Sequence, residues 1–462
     1  MYISLSDRPA PEPEKGPENE PENGPENAPA AAQSRRRAAV APTVIALGIV
    51  SLLTDISSES TAAVLPLYIT AALGLSTIAY GFLDGLSQGI SAVVRIGAGW
   101  TADRTARPKA IAGAGYGLSL LARIGLLLSA GPGAALGPAA ASATATVSAV
   151  VAVDRIGKGI RTAPRDALIA AASEPNALAR AFGVHRMLDT IGATIGPLLA
   201  FIVLLLVPDG YRTVFVVSAA FAALGVIVLL LFVPGAARST RATRSARAVR
   251  RRTPRARLPW RDLLAPRMRR LLLAAGVLGL LTVGDGFVYL VLQSRDAFAT
   301  TWFPLLYVGT NAAYLALAVP FGRLADRWGR VRLFLAGHVA LLAVYLVAAG
   351  APSGLWSTLL CLALLGAFYA ATDGVLAAIA GTAVSTALRS SGIAAAQTVV
   401  AVARLLASVG FGVLWYAWGR EAAMITVAAA LVVGLVTAAA LLRERRIGAP
   451  SLRRKPVRRG PE

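Results

Sequence analysis

Apolar residues along this chain fall in long continuous runs, broken by short polar stretches. Twelve such runs lie near 41–71, 78–101, 110–130, 141–172, 182–207 and 212–234, then near 270–293, 301–322, 333–350, 355–386, 392–417 and 421–443. Each is long enough to cross ~30 Å of hydrocarbon at about 1.5 Å of helix rise per residue. Runs this long and this rich in Ala and Leu predict helices rather than strands. A bilayer core offers backbone N–H and C=O groups no other partner. The expected fold class is an all-α membrane protein with twelve transmembrane helices.

Composition agrees with the pattern. Hydrophobic residues make up 56% of the chain and charged residues 15%, against about 25% charged in a typical soluble protein. The net charge of +22 raises the question of a nucleic-acid partner. Its distribution argues against one. Thirteen arginines crowd between Arg238 and Arg270, and most of the others sit just beyond an apolar run. Membrane proteins concentrate Lys and Arg in cytoplasmic loops in this way, where the loops also meet anionic lipid headgroups.

Loop charges give the topology. The connections after the second, fourth, sixth, eighth and tenth runs carry Arg104, Arg107 and Lys109; Arg180; the arginine-rich linker; Arg327, Arg330 and Arg332; and Arg389. Those after the first, third and ninth carry no charge. Those after the fifth, seventh and eleventh pair one arginine with one acid: Asp209/Arg212, Arg295/Asp296 and Arg420/Glu421. Both termini are therefore expected in the cytoplasm of a cell with an inner (plasma) membrane. The first apolar run lies too deep in the chain for a cleavable signal peptide.

The chain divides accordingly. Residues 1–38 form an acidic, Pro-rich tail, expected to be disordered, that ends in a basic anchor at Arg35, Arg36 and Arg37. Two six-helix bundles follow at 39–234 and 269–446, joined by a basic cytoplasmic linker at 235–268. A basic tail covers 447–462. One cysteine, Cys361, and two distant histidines, His185 and His338, give no disulfide and no metal cluster. No cofactor is implied, and no nucleophile–base pair or phosphate loop suggests an enzyme. A monomer is expected.

The two halves echo each other. Gly99-Trp100-Thr101-Ala102-Asp103-Arg104 follows the second run, and Gly322-Arg323-Leu324-Ala325-Asp326-Arg327 follows the eighth. At these loops the sequence resembles the major facilitator superfamily (MFS). That family's loop reads Gly-x-x-x-Asp-Arg-x-Gly-Arg followed by Lys or Arg. The second copy fits it, with Gly329, Arg330 and Arg332. The first has Ala106 where the second glycine belongs, then Arg107 and Lys109. Arg155, with Gly159 four residues on, resembles the family's intramembrane Arg–Gly motif, and Arg161 departs from it. Gly183, Gly192 and Gly196-Pro197 resemble the glycine–proline motif of its antiporters, although Ala200-Phe201 replaces the closing glycines. The blocks Leu53–Glu59 and Gly157–Ile169 look like one prokaryotic branch of the superfamily. The resemblance implies two six-helix bundles moving a small-molecule substrate by alternating access, with the binding site between them.

Candidate chemistry lies in the ionisable groups within the runs, since charges in hydrocarbon are costly and mark function. Asp55 and Glu59 are four apart and share a helix face. Close carboxylates do not both ionise easily, which suits proton coupling; alternatively both are fixed partners of the cations in the fourth run. Asp84 and Asp154 are further proton candidates. Arg155, Lys158, Arg161, His185, Arg186, Asp189, Asp285 and Asp373 are candidates for substrate binding. Spacing suggests that Asp154 pairs with Lys158 and Arg186 with Asp189. Arg161 and Arg165 either reach inward or snorkel to the interface. Arg95 and Arg123 are possible inner counter-ions, and Arg404 is a further buried candidate in the eleventh run. Asp103 and Asp326, with Gly99, Arg104, Gly322, Arg327, Gly329 and Arg330, are expected to gate the cytoplasmic side. Gly192, Gly196 and Pro197 either seal the opposite side or serve packing alone. The favoured function is proton-driven efflux of a small organic molecule. Proton-coupled uptake of a small anionic metabolite is the second reading, and a transporter-like sensor the third.

Overall fold

A computed structural model describes residues 40–104, 108–128, 138–174, 177–234, 265–350, 352–385 and 388–443. Among them every regular element is helical. The first half holds α1 (Pro42–Leu67, continued by a π-helical turn Tyr68–Ala72), α2 (Thr77–Arg104), α3 (Pro108–Leu128), α4 (Pro138–Ala172), α5 (Leu178–Leu206) and α6 (Tyr211–Phe232). The second holds α7 (Pro266–Leu280), α8 (Asp285–Asp296), α9 (Phe303–Trp328), α10 (Arg330–Gly350), α11 (Leu355–Ala383) and α12 (Arg389–Leu442). Proline opens α1, α3, α4 and α7. The first helical turn has no use for its missing N–H.

Nine stretches of the described residues are long and apolar enough to cross a membrane. The charge-rich α4 and the polar α2 are not among them. Among the described side chains, Asp84 of α2 and Asp154, Arg155 and Arg161 of α4 face the protein interior. The stretch Ser391–Leu442 counts once, yet Gly419 breaks it with φ 82 and ψ 169. Positive φ of that size is open to glycine and strained for other residues. The break falls between the apolar runs 392–417 and 421–443.

The run 270–293, expected as one helix, is two. α7 ends with 3₁₀-type bonds, Leu281 N–H to Leu278 O at 3.1 Å and Thr282 N–H to Gly279 O at 3.2 Å. The chain then extends through Gly284 (φ −64, ψ 145) before α8 begins. Unpaired backbone groups at this depth would cost several kcal/mol in lipid. Tyr345 of α10 serves them: its hydroxyl accepts from Val283 N–H at 2.8 Å and donates to Leu281 O at 3.0 Å. Glycine is needed in the break because the first half presses on it. A Cβ at Gly284 would collide with Asp84, and one at Gly286 with the Tyr80 hydroxyl.

Helices pack mainly within their own half, α1 on α5 and α6, α3 on α4, α7 on α12, and α11 on α9 and α10. The halves meet along α2 against α12 and α5 against α9. That contact is tightest where α1 ends and α2 begins. Gly81 lies against the Ser408 carbonyl and Gly412 against that of Thr77, so closely that a Cβ would approach each oxygen to 2.5 Å. Thr77 Oγ1 donates to Gly412 O at 3.1 Å. At the α5 side of the boundary, Phe201 and Trp302 lie 5.4 Å apart, ring to ring. Tyr80, Phe287, Phe411 and Trp415 form an aromatic seal under this contact.

Candidate functional site

Two groups of charge occupy the interior. The first lies within the first half. Spacing placed Asp154 with Lys158; the structure instead gives Asp154 to Arg123 of α3, at 3.0 Å, both nearly fully buried. The i,i+4 geometry is available, but Lys158 leans across to α1 and meets Glu59 at 3.7 Å. Asp55 faces Arg161 at 3.9 Å. Arg161 does not snorkel. It is buried, donates to Ser119 Oγ at 2.9 Å and lies 4.9 Å from the Tyr116 ring centroid. Cation–π contact and a hydroxyl partner hold it inside. Arg165 is likewise held inward, reaching Ser51 at 3.2 Å and Asp189 at 3.7 Å. Asp55 and Glu59 therefore answer to different cations of α4, although they share a face of α1.

His185 was a candidate for substrate binding. It is buried, with Nε2 2.9 Å from Ser51 Oγ, and ties α5 to α1. It does not line the cavity. Arg186 and Asp189 pair at 3.3 Å as their spacing suggests, with Arg186 largely exposed. Gly192 and Gly196 approach α1 of the same half: a Cβ there would meet the Leu52 carbonyl and the backbone of Ser60. They bind α5 to α1 and do not form the seal between halves. Asp373 of α11 is exposed and lies outside the cavity wall.

The second group surrounds a cavity of about 330 Å³ between the halves. α2 contributes Tyr80, Asp84 and Gln88; α4 contributes Arg155 and Lys158. The α7–α8 break contributes Thr282, Gly284 and Asp285, and Tyr307, Tyr369, Arg404 and Ser408 close the wall from α9, α11 and α12. Asp84 accepts from Ser408 Oγ at 2.6 Å, a bond that crosses from one half to the other. Tyr369 donates its hydroxyl to Asp285. Arg404 lies over the Tyr369 ring, 5.9 Å from its centroid. The two acids are satisfied by neutral donors. The two arginines are not satisfied: Nε of Arg155 and Nε of Arg404 are buried with no hydrogen-bond partner among the described residues. Arg155 comes no nearer to an acid than 4.0 Å, from Asp154.

The sequence named Asp84, Arg155, Lys158 and Asp285, and the fold brings them together. It missed Ser408, Tyr80, Tyr307 and the break itself. One signal for the break was in view: glycines at 276, 279, 284 and 286 interrupt an apolar run, the mark of a discontinuous helix at a binding site. Among the gating candidates, Asp326 sits in the last turn of α9 and meets Arg330 at 3.6 Å. Gly329 joins α9 to α10 with φ 97. Gly322 and Arg327 lie in α9. The side chains of Arg95, Gly99, Asp103 and Arg104, the tails and most of the linker 235–268 lie outside the described residues.

Known proteins share this architecture. The structure superposes on the nucleoside transporter NupG with a TM-score of 0.69 at 14% identity, over 87% of this chain and 99% of that one. It superposes on a POT family transporter in complex with 5-aminolevulinic acid with a TM-score of 0.66 at 13% identity, covering 87% and 96%. In sequence, an uncharacterised MFS-type transporter of Methanocaldococcus jannaschii is 28% identical over 380 residues, 80% of this chain and 88% of that protein. An uncharacterised protein of Mycobacterium tuberculosis is 27% identical over 314 residues, 65% and 69% of the respective chains. The Major Facilitator Superfamily model matches residues 47–311 and 297–461. With apolar helices packed around a charged central cavity, and a family match that spans them, this chain belongs to the Major Facilitator Superfamily: it is a multi-pass membrane transporter and not an enzyme.

Proposed function

We propose that this protein is a proton-coupled secondary transporter that carries a small polar organic solute through the central cavity by alternating access. In this reading twelve helices form two halves, 39–234 and 269–446, with both termini cytoplasmic in the inner membrane. The protein acts as a monomer, and its basic loops rest on anionic lipid. The observation that carries the reading is the cavity wall. Asp84 and Asp285 stand in it on opposite halves, each held by a neutral hydroxyl rather than by a cation. A carboxylate so placed exchanges a proton at little structural cost, because no ion pair has to break.

Protonation has a conformational consequence. An ionised Asp84 accepts a charge-assisted bond from Ser408, roughly twice as strong as a neutral one. That bond ties α2 to α12 beside the glycine contact at Gly81 and Gly412. A proton on Asp84 weakens the tie and favours the other packing of the halves, which is the requirement for coupling. The loop charges assign the closed end to the periplasm, so the conformation described is inward-facing. Asp55 and Glu59, held by Arg161 and Lys158, maintain the first half as a rigid unit. The solved relatives are named for nucleosides and peptides, so the shared fold does not choose a substrate.

The test is proton flux in proteoliposomes loaded with a pH-sensitive dye. Small carboxylates, amines, nucleosides and sugars are added one at a time to the wild type and to Asp84→Asn and Asp285→Asn. At least one solute is expected to drive proton movement in the wild type, and Asp84→Asn is expected to abolish that movement while retaining exchange of the same solute. Proton flux of wild-type size in both variants overturns the assignment.

A further inference from the structure

We propose that the carried solute is a small organic anion, its oxyanion head bridging Arg155 and Arg404, and that it crosses together with a proton rather than against one. This deepens the transporter reading above and rests on it. The carrying observation is the pair of orphaned guanidinium nitrogens. A buried N–H of a cation without a partner is rare and costly, and calls for an explanation. Here there are two, both in residues of one cavity wall, one on each half of the molecule. Neither guanidinium is closed by a carboxylate in the cavity, and an oxyanion held between the two side chains bonds to their exposed forks. Because Arg155 is on α4 and Arg404 on α12, that same group draws the halves together. Guanidinium forks fit carboxylate and phosphate heads better than point charges do.

The charges that face this space set the sign of coupling. α2 supplies Asp84 and α8 supplies Asp285. α4 supplies Arg155 and Lys158, and Lys158 is taken up by Glu59 of α1. Asp154 of α4 is held chiefly by Arg123 of α3. α12 supplies Arg404, within electrostatic range of Asp285 and of Asp373 on α11. Tyr80, Tyr307 and Tyr369 are neutral donors. With both cavity acids ionised, Asp84 and Asp285 balance Arg155 and Arg404. A proton on either acid leaves an excess positive charge in a low-dielectric site, and an anion restores the balance. Proton and anion thus bind with mutual favour, and that reciprocity makes them passengers in the same direction. A cationic solute would compete with the proton and would face two guanidinium groups. The volume of about 330 Å³ is at the small end for ligand pockets. The apolar wall of Leu65, Pro66, Leu83 and Val283 accepts a short carbon skeleton.

The test uses the purified full-length protein. Its thermal unfolding is followed with sodium propionate, succinate, benzoate and glycerol phosphate, each against propionamide, succinamide, benzamide or glycerol, at ionic strength held constant with chloride. At least one anion is expected to raise the midpoint by several degrees while its neutral counterpart does not. The arm that responds identifies the head group as carboxylate or phosphate. Arg155→Met and Arg404→Met are expected to lose the shift, and Arg404→Lys to need at least tenfold more anion. The readout for Arg404→Met is the anion-dependent shift and not the ligand-free midpoint, because the variant also removes the cation that balances Asp285. In proteoliposomes, entry of the responding anion is expected to speed up when the outside is acidic. No response to any of the four anions, or anion movement against the proton, overturns the inference. If only a neutral or cationic solute drives proton flux, the transporter reading stands and this inference falls. If no solute drives proton flux, the transporter reading fails with it.

Discussion

The ion pairs inside the first half and the charges around the central cavity are built from the same residue types, yet they differ in how far they are satisfied. Asp154 and Arg123 close on each other at 3.0 Å, and Arg161 has a carboxylate, a hydroxyl and an aromatic ring. In the cavity, Asp84 and Asp285 hold only hydroxyls, and Arg155 and Arg404 each keep a nitrogen without a partner among the described residues. A closed network resists change, because removing any member strands a charge in a low dielectric. An open one is poised to take a proton or a ligand. In the proposed reading, incomplete pairing rather than burial or charge alone marks the groups that act.

The largest way to break this contrast is to open the closed network. Arg123→Met strands Asp154 and is expected to cost about 3–5 kcal/mol. It should be read as a fall in the unfolding midpoint of the detergent-purified protein. The double variant Arg123→Met with Asp154→Leu should recover most of that loss, since apolar replacement of a whole buried pair is often neutral. A double variant as unstable as the single would mean that the pair does more than balance charge.

Overpacking the seal above the cavity comes next. Valine at Gly81 places a Cβ against the Ser408 carbonyl, and forced contacts of this kind cost about 1–3 kcal/mol. The strain should push α2 from α12 and open the closed end. In a background without Cys361, a cysteine at Leu83 should react at least several times faster with a membrane-impermeant thiol reagent, and unchanged reactivity would place the seal elsewhere.

Smaller still is the scaffold of the break. Tyr345→Phe leaves Val283 N–H and Leu281 O without their shared partner. A loss of about 1–2 kcal/mol is expected, in the range for an unsatisfied buried group. Faster hydrogen exchange confined to residues 278–286 would report it, and protection as in the wild type would show that another group takes over. Smallest is Arg186→Gln. This arginine belongs to the first network by sequence, but it is 76% exposed. Exposed pairs contribute about 0–1 kcal/mol, so the midpoint should move by no more than a degree or two. A large drop would extend the closed network to the surface.

Much of the fold was legible because lipid imposes it. Length and apolarity named most of the helices to within a few residues, although the run 270–293 is two helices and α9 continues to Trp328, and the charges at mid-run named Asp84, Arg155, Lys158 and Asp285 as groups needing a reason to be there. Their pairing was not legible. The i,i+4 rule joined Asp154 to Lys158 on one helix, while Arg123, thirty-one residues earlier, holds the acid. Local spacing reports which groups can meet and says nothing of competitors from neighbouring helices. Gly192 and Gly196 show the same limit: the sequence signalled a close approach, and only packing revealed that its partner is α1.

By itself the sequence determined the solvent, the helical class, the expected topology and the family, because each follows from composition and order along the chain: a hydrocarbon core demands internally bonded helices, and loop charge orients them. Only the tertiary structure decided where α7 breaks, that Tyr345 supports the break, and that Ser408 reaches Asp84 across the two halves. It also separated the arginines with partners from those without. These are properties of distances between residues tens to hundreds of positions apart, and they are fixed by how helix faces pack rather than by the order in which the residues occur.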